Sequence, residues 1–250
     1  MSGHSKWATI KHKKGAADAA RGKVFSKLTR EITVAAKAGG GDPDSNPRLR
    51  TVILKAKEAN MPSDNVTRAI KKGTGELPGV SYEETTYEAY GPGGVAVLIE
   101  VLTDNKNRTS AEIRSVITKQ GGSMAGAGSV SYLFTKKGYL TVAKGTVDEE
   151  KLFTIATDAG AEDFNAEADE YEITVPVSAF EAVKKALDQN KIKPTVSEVT
   201  MLPTSTIPLG EKEAKTVVNL VQALEDHDDV QNVYSNFDIS DEILSKISGA

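Results

Sequence analysis

The chain has 250 residues, 39% hydrophobic, 26% charged and 6% aromatic, which suits one large domain or two to three small ones and excludes wholesale disorder. Cysteine is absent, so disulfide frameworks, cysteine-ligated zinc, iron–sulfur clusters and thiol nucleophiles are excluded together. The net charge of −4 conceals a division: residues 1–75 hold 16 Lys/Arg against 6 Asp/Glu (+10), and residues 76–250 hold 15 against 29 (−14). Such asymmetry points to a basic module that meets a polyanion, joined to an acidic body; the alternative is two surfaces of opposite sign that attract each other.

The start, MSGHSKWATIKHKK, is basic with no apolar stretch behind it, and no apolar run approaches the roughly 20 residues of a bilayer span. The expectation is a cytoplasmic protein with no membrane partner. Residues 4–14 interleave cations with the only tryptophan. Lysine and histidine there suit phosphate contacts, and Trp7 and Arg21 offer flat surfaces for an unpaired base. Alternatively, Trp7 and Ile10 pin the tail to the protein by burial.

Next, Val24, Phe25, Leu28, Ile32, Ala35 and Ala36 recur at helical spacing, with Lys23, Lys27, Arg30 and Lys37 gathered on the opposite side. Glycines 39–41 end that helix. Asn46 caps a second helix, with Pro47 at its first position. A third helix is expected from Ser63 to Lys72, stopped by Gly73, with Arg68, Lys71 and Lys72 facing out.

Beyond Pro78, strands alternate with helices. A hairpin turns at GPGG (91–94), a helix follows over about 105–120, and a strand is expected at 129–134. Residues 138–202 read β-α-β-β-α-β, the split βαβ order of a ferredoxin-like unit. After a linker at 203–210 come a helix marked by Ala214, Val217, Val218, Val221 and Leu224 and a strand at 230–237. The pieces on either side of the insert need each other. The expected fold is therefore α+β and multidomain: a helical domain over 1–80, a discontinuous α/β sandwich from 81–134 and 204–250, and a second, ferredoxin-like sandwich, 135–203, inserted into it.

Catalytic chemistry finds little support. The stretch GGSMAGAGSV (121–130) lacks the Gly-Lys-Ser/Thr of a Walker loop and reads as a mobile loop with turns. His227, in EDHDD (225–229), could be drawn as a metal ligand, but a solvated acidic loop is the expected reading. Three histidines support no nucleophilic constellation. No enzyme activity, cofactor, metal or small-molecule substrate is expected.

GHSKWATIKHKK at the start, MPSDNVTRAIKKG (61–73), YEAYGPGGVAVLIEVLTDNKNRT (87–109) and GSVSYLF (128–134) resemble the YebC/PmpR family over nearly the whole chain. The resemblance implies three domains and a regulator of gene expression. Bacterial members are generally labelled probable transcriptional regulators that bind DNA, mitochondrial relatives are translational activators, and bacterial members are also tied to ribosome function at proline-rich stretches. Lys6, Trp7, Lys11, His12, Lys13 and Lys14 match the family's opening motif, and Arg68, Lys71 and Lys72 its second block. With Arg21, Lys23, Lys27 and Arg30 these form the expected nucleic-acid-binding set. The expected partner is nucleic acid, DNA or ribosomal RNA, with the ribosome as one setting. The other class of function that fits is a protein–protein scaffold whose basic module docks an acidic partner.

Overall fold

The computed structural model describes residues 18–167 and 169–248. It begins with three helices, α1 (Asp18–Gly39), α2 (Pro47–Glu58) and α3 (Ser63–Thr74), built around Ile32, Leu49, Ala56 and Ala69. Burying a large aliphatic side chain of this kind contributes about 1.5–3 kcal/mol. Asn46 fixes the α1–α2 corner. Its Oδ1 accepts from the Leu49 amide (3.1 Å), while Nδ2 donates to the Ala35 (2.8 Å) and Gly40 (2.9 Å) carbonyls.

Gly73 does not stop α3, as the sequence reading expects; the helix continues to Thr74 and is closed by left-handed Gly75 (φ 84°). Gly73 marks instead where α3 crosses α1. A Cβ there would lie 2.4 Å from the Thr33 carbonyl oxygen and 2.8 Å from the Ala36 Cβ. Gly73→Ala is therefore expected to destabilise the helical unit by about 1–3 kcal/mol through overpacking, despite alanine's better helix propensity. A urea melt reads the difference, and a stability gain would show that the helices part freely.

The first sheet has the order β3-β1-β2-β9, from β1 (Glu83–Tyr90), β2 (Ala96–Thr103), β3 (Ser123–Ala125) and β9 (Val230–Ser235). All its pairings are antiparallel. Helices α4 (Lys106–Lys119) and α7 (Glu211–Glu225) cover one face, packing Ile113, Ile117, Val217, Val221 and Leu224 on Val97, Ile99 and Val101. The second sheet, order β5-β6-β4-β7, holds β4 (Phe134–Ala143), β5 (Asp163–Ala166), β6 (Glu170–Val175) and β7 (Val196–Pro203). Its helices, α5 (Glu149–Asp158) and α6 (Phe180–Gln189), bury Leu152, Val183 and Leu187 on Leu140, Val142 and Ile173. That order and antiparallel register make it ferredoxin-like. The first sheet takes β9 from beyond the whole second unit, so the fold is a helical domain with two α/β sandwiches, one inserted into the other.

Several local expectations change. In place of a strand at 129–134, a 3-10 turn covers Ser131–Leu133, and one strand, β4, runs from Phe134 across the expected break. The reason is tertiary: Phe134 packs with Ala96, Leu98, Val130 and Tyr234 against the helix-free face of the first sheet. The 203–210 linker contains β8 (Ile207–Pro208), which pairs in parallel with β10 (Phe237–Asp238). An unexpected helix, α8 (Asp241–Ser248), adds Leu244, with Ile243 and Ile247, to the first core.

Candidate nucleic-acid interface

Arg68, Lys71 and Lys72 are exposed on α3 and, among the described residues, make no ion pair. Helix α2 adds Arg50, Lys55 and Lys57, also exposed and equally free of ion pairs among the described residues. The sequence reading does not include these three among the candidate site residues. Their charge on the outer side of an amphipathic helix is the signal that points to them.

The cations of α1 are placed differently. Lys23 Nζ pairs with Asp226 Oδ1 at 3.0 Å, and Lys27 Nζ donates to the Glu225 carbonyl at 2.7 Å. The Arg30 guanidinium donates to the Asp228 carbonyl, reaches Asp229 Oδ1 at 3.3 Å and lies 5.7 Å from the Tyr82 ring centre. Lys37 Nζ donates to Ser81 Oγ at 2.7 Å. The basic side of α1 thus faces the EDHDD loop, and in this contact the two surfaces of opposite sign attract each other. Lys6, Trp7, Lys11, His12, Lys13 and Lys14 lie outside the described residues, as does the Arg21 side chain.

The EDHDD loop is solvated, as expected, at Asp226 and Asp228 but not at Asp229. The Asp229 side chain is only 4% exposed and sits at a junction of three elements. Its Oδ2 accepts from Thr109 Oγ1 (2.6 Å), Arg108 Nη2 (2.7 Å) and Thr103 Oγ1 (3.2 Å), and Arg30 approaches Oδ1. Burial pushes this carboxyl up, but the hydrogen bonds from Thr109 and Arg108 and the charges of Arg30 and Arg108 hold it below the usual carboxylate range. His227 Nε2 lies 2.9 Å from Glu112 Oε2, and its Nδ1 accepts from the Asp229 amide at 3.1 Å. Glu112, His227 and Asp229 bring ligand atoms within 4.8 Å of one another. Two guanidinium groups already occupy the cation positions on Asp229, so the cluster is complete as an ion-pair network and does not fit a metal.

Thr103, Arg108 and Thr109 all come from the TDNKNRT segment. Asn105 caps α4 by accepting from the Arg108 amide (3.1 Å), which sets the first turn of the helix beside Asp229. No local signal in the sequence links that segment to a residue about 120 positions later.

The glycine-rich stretch 121–130 is likewise more ordered than a mobile loop. Ser123–Ala125 forms β3, the edge strand on β1. Beyond it, the amides of Gly128 (2.7 Å), Val130 (2.6 Å) and Ser131 (3.1 Å) donate to the buried carboxylate of Glu88. Burial pushes Glu88 up, yet these donors hold it below its ordinary value. The loop does cradle an anion, and that anion is the protein's own glutamate.

This chain belongs to the TACO1/YebC family: a model of the family's N-terminal domain matches residues 5–76, and a model of its second and third domains matches residues 82–237. Among its relatives, a protein from Geotalea uraniireducens is 57% identical, covering 99% of this chain and 100% of its own, and one from Dictyoglomus thermophilum is 54% identical over the same shares. Both are named "Probable transcriptional regulatory protein". The crystal structure of a conserved hypothetical protein from Aquifex aeolicus superposes with a TM-score of 0.79 at 48% identity, covering 91% of this chain and 94% of that one.

Proposed function

We propose that this chain is a nucleic-acid-binding regulator of gene expression that acts in the cytoplasm through its helical domain. The observation that carries this reading is the set of exposed cations, Arg50, Lys55 and Lys57 on α2 and Arg68, Lys71 and Lys72 on α3, that make no ion pair among the described residues, in a region whose first 75 residues total +10. The relatives' names support the regulatory part. Single-stranded or structured RNA, with the ribosome as its setting, suits this surface better than promoter DNA. A body of charge −14 repels long duplexes, and contact is confined to one end of the molecule.

Sedimentation of native lysate with and without nuclease tests this. The protein is expected with ribosomes or nucleic acid, and free after digestion. Replacing Arg68, Lys71 and Lys72 by glutamine is expected to lower the salt dependence of binding by about two units of log–log slope, since each lost phosphate contact removes a little under one. Retention that survives nuclease would favour the scaffold reading instead. That reading has one observation behind it: the basic side of α1 does hold an acidic protein loop.

A further inference from the structure

The contact between α1 and the 225–229 loop has the chemistry of a phosphate-binding face that is already occupied. Helix α7 ends at Glu225, and α1 lays three cations along the oxygens that follow. Lys27 donates to the Glu225 carbonyl (2.7 Å), and Lys23 to the Asp226 carbonyl (3.4 Å) and carboxylate (3.0 Å). Arg30 donates to the Asp228 carbonyl, with Asp229 Oδ1 at 3.3 Å. The negative end of a helix followed by carboxylates is a row of closely spaced acceptors, as a phosphate backbone is. Lysine and arginine bind either, so the loop and nucleic acid compete for one set of cations.

The join that these cations hold is a polar one. Among the described residues, none of the four buried apolar clusters draws on both the helical domain and the sandwiches. Besides the loop contact, Lys37 donates to Ser81, Arg48 pairs with Glu84, and Arg30 lies over the Tyr82 ring. Such a join parts readily, because solvent and salt screen exposed charge pairs and no apolar core resists separation. Lys23 and Asp226, with side chains 49% and 62% exposed, can exchange partners in place. The Arg30 side chain, 18% exposed, is uncovered only when α1 moves away.

We propose that α1 carries a second nucleic-acid-binding face, Lys23, Lys27 and Arg30, which the 225–229 loop keeps closed in the free protein and which a polyanion opens by displacing the loop. This face rests on the function proposed above and refines it: apparent affinity is lowered by the fraction of closed protein, and binding parts the helical domain from the first sandwich.

Because the chain has no cysteine, Thr51→Cys on α2 and Lys215→Cys on α7, both exposed, can carry a dye pair with no other thiol to label. A short oligouridylate at low salt is expected to lower energy transfer between the dyes as it binds. The double variant Asp226→Asn, Asp228→Asn, at two exposed positions, should bind that RNA several-fold more tightly than the wild type. Glu181→Gln with Asp188→Asn on α6 removes the same charge elsewhere on the surface and should gain much less. Should the double loop variant not fold, Asp226→Asn alone is expected to show a smaller gain. RNA binding with energy transfer unchanged overturns the proposal alone, since α1 then stays on the loop. Equal gains in the loop and α6 variants overturn it too, because lower net repulsion would account for both. If RNA binds neither the wild type nor the variants, the function proposed above has failed and this face falls with it.

Discussion

Asp229→Ala is expected to cost about 3 kcal/mol of stability, the largest single loss among the ion pairs that join α1 to the first α/β sandwich. Removing one member of a buried ion pair typically costs 3–5 kcal/mol, because the partner charge is left without compensation. Here the lower end applies: the Arg108 side chain is 45% exposed and can turn to water, whereas that of Arg30 is only 18% exposed. Two threonine hydroxyls lose a hydrogen-bond acceptor as well. Asp226→Ala makes the contrast. Its pair with Lys23 lies between side chains 62% and 49% exposed, where solvent and salt leave about 0–1 kcal/mol.

The pH dependence follows from the Asp229 carboxyl being held below its ordinary value of 3.8. Its contribution is fully present above that value and is lost as the pH falls through the lower, folded pKa. Urea midpoints of the wild type, Asp229→Ala and Asp226→Ala at pH 7 and pH 3 measure both effects. Equal losses for the two variants at pH 7 would show that Asp229 gains nothing from its burial.

Deleting residues 1–15 is expected to weaken polyanion binding more than any single substitution. Residues 1–30 carry eight Lys/Arg against one acid, and the structure shows Lys23, Lys27 and Arg30 engaged with the 225–229 loop. That leaves Lys6, Lys11, Lys13 and Lys14 as the expected phosphate contacts of this region. Six phosphate contacts would give a log affinity–log salt slope of about −4 on single strands and −5 on duplex. Loss of the four tail lysines should flatten that slope by about three units on single strands. Trp7→Ala should instead reduce affinity roughly tenfold with the slope unchanged, because stacking on a base is worth about 1–3 kcal/mol and involves no counterion. Titrations of a short RNA at 50 and 200 mM salt separate the two. Unchanged affinity of the truncated protein at both salt concentrations would move the binding surface to α2 and α3.

Much of the architecture was written in local pattern. Asn46-Pro47 marks the start of α2 because a cap and a fixed φ act over three or four residues. GPGG makes the β1–β2 hairpin because Gly93 (φ 73°) and Gly94 (φ 78°) adopt left-handed backbone there. The alternation of strands and amphipathic helices over 138–202 predicts the inserted ferredoxin-like sheet, since each apolar face demands a partner layer.

What the sequence by itself determined, then, was the set of features whose physics is short-ranged: helix caps, apolar faces, turns, and the concentration of positive charge in the first 75 residues. The tertiary structure decided where that charge is spent. Lys23, Lys27 and Arg30 resemble Arg68, Lys71 and Lys72 in sequence, yet only the first group meets the 225–229 loop, some 200 residues away. Glu88 and the 128–131 amides, like Asp229 and the TDNKNRT segment, form sites from parts that carry no local sign of each other. Gly73 likewise reads as a helix stop until α1 is seen against it. Periodicity and capping act within a turn or two of the chain, whereas the pairing of buried charges depends on which surfaces the fold brings together, and that is settled only when the sheets and helices pack.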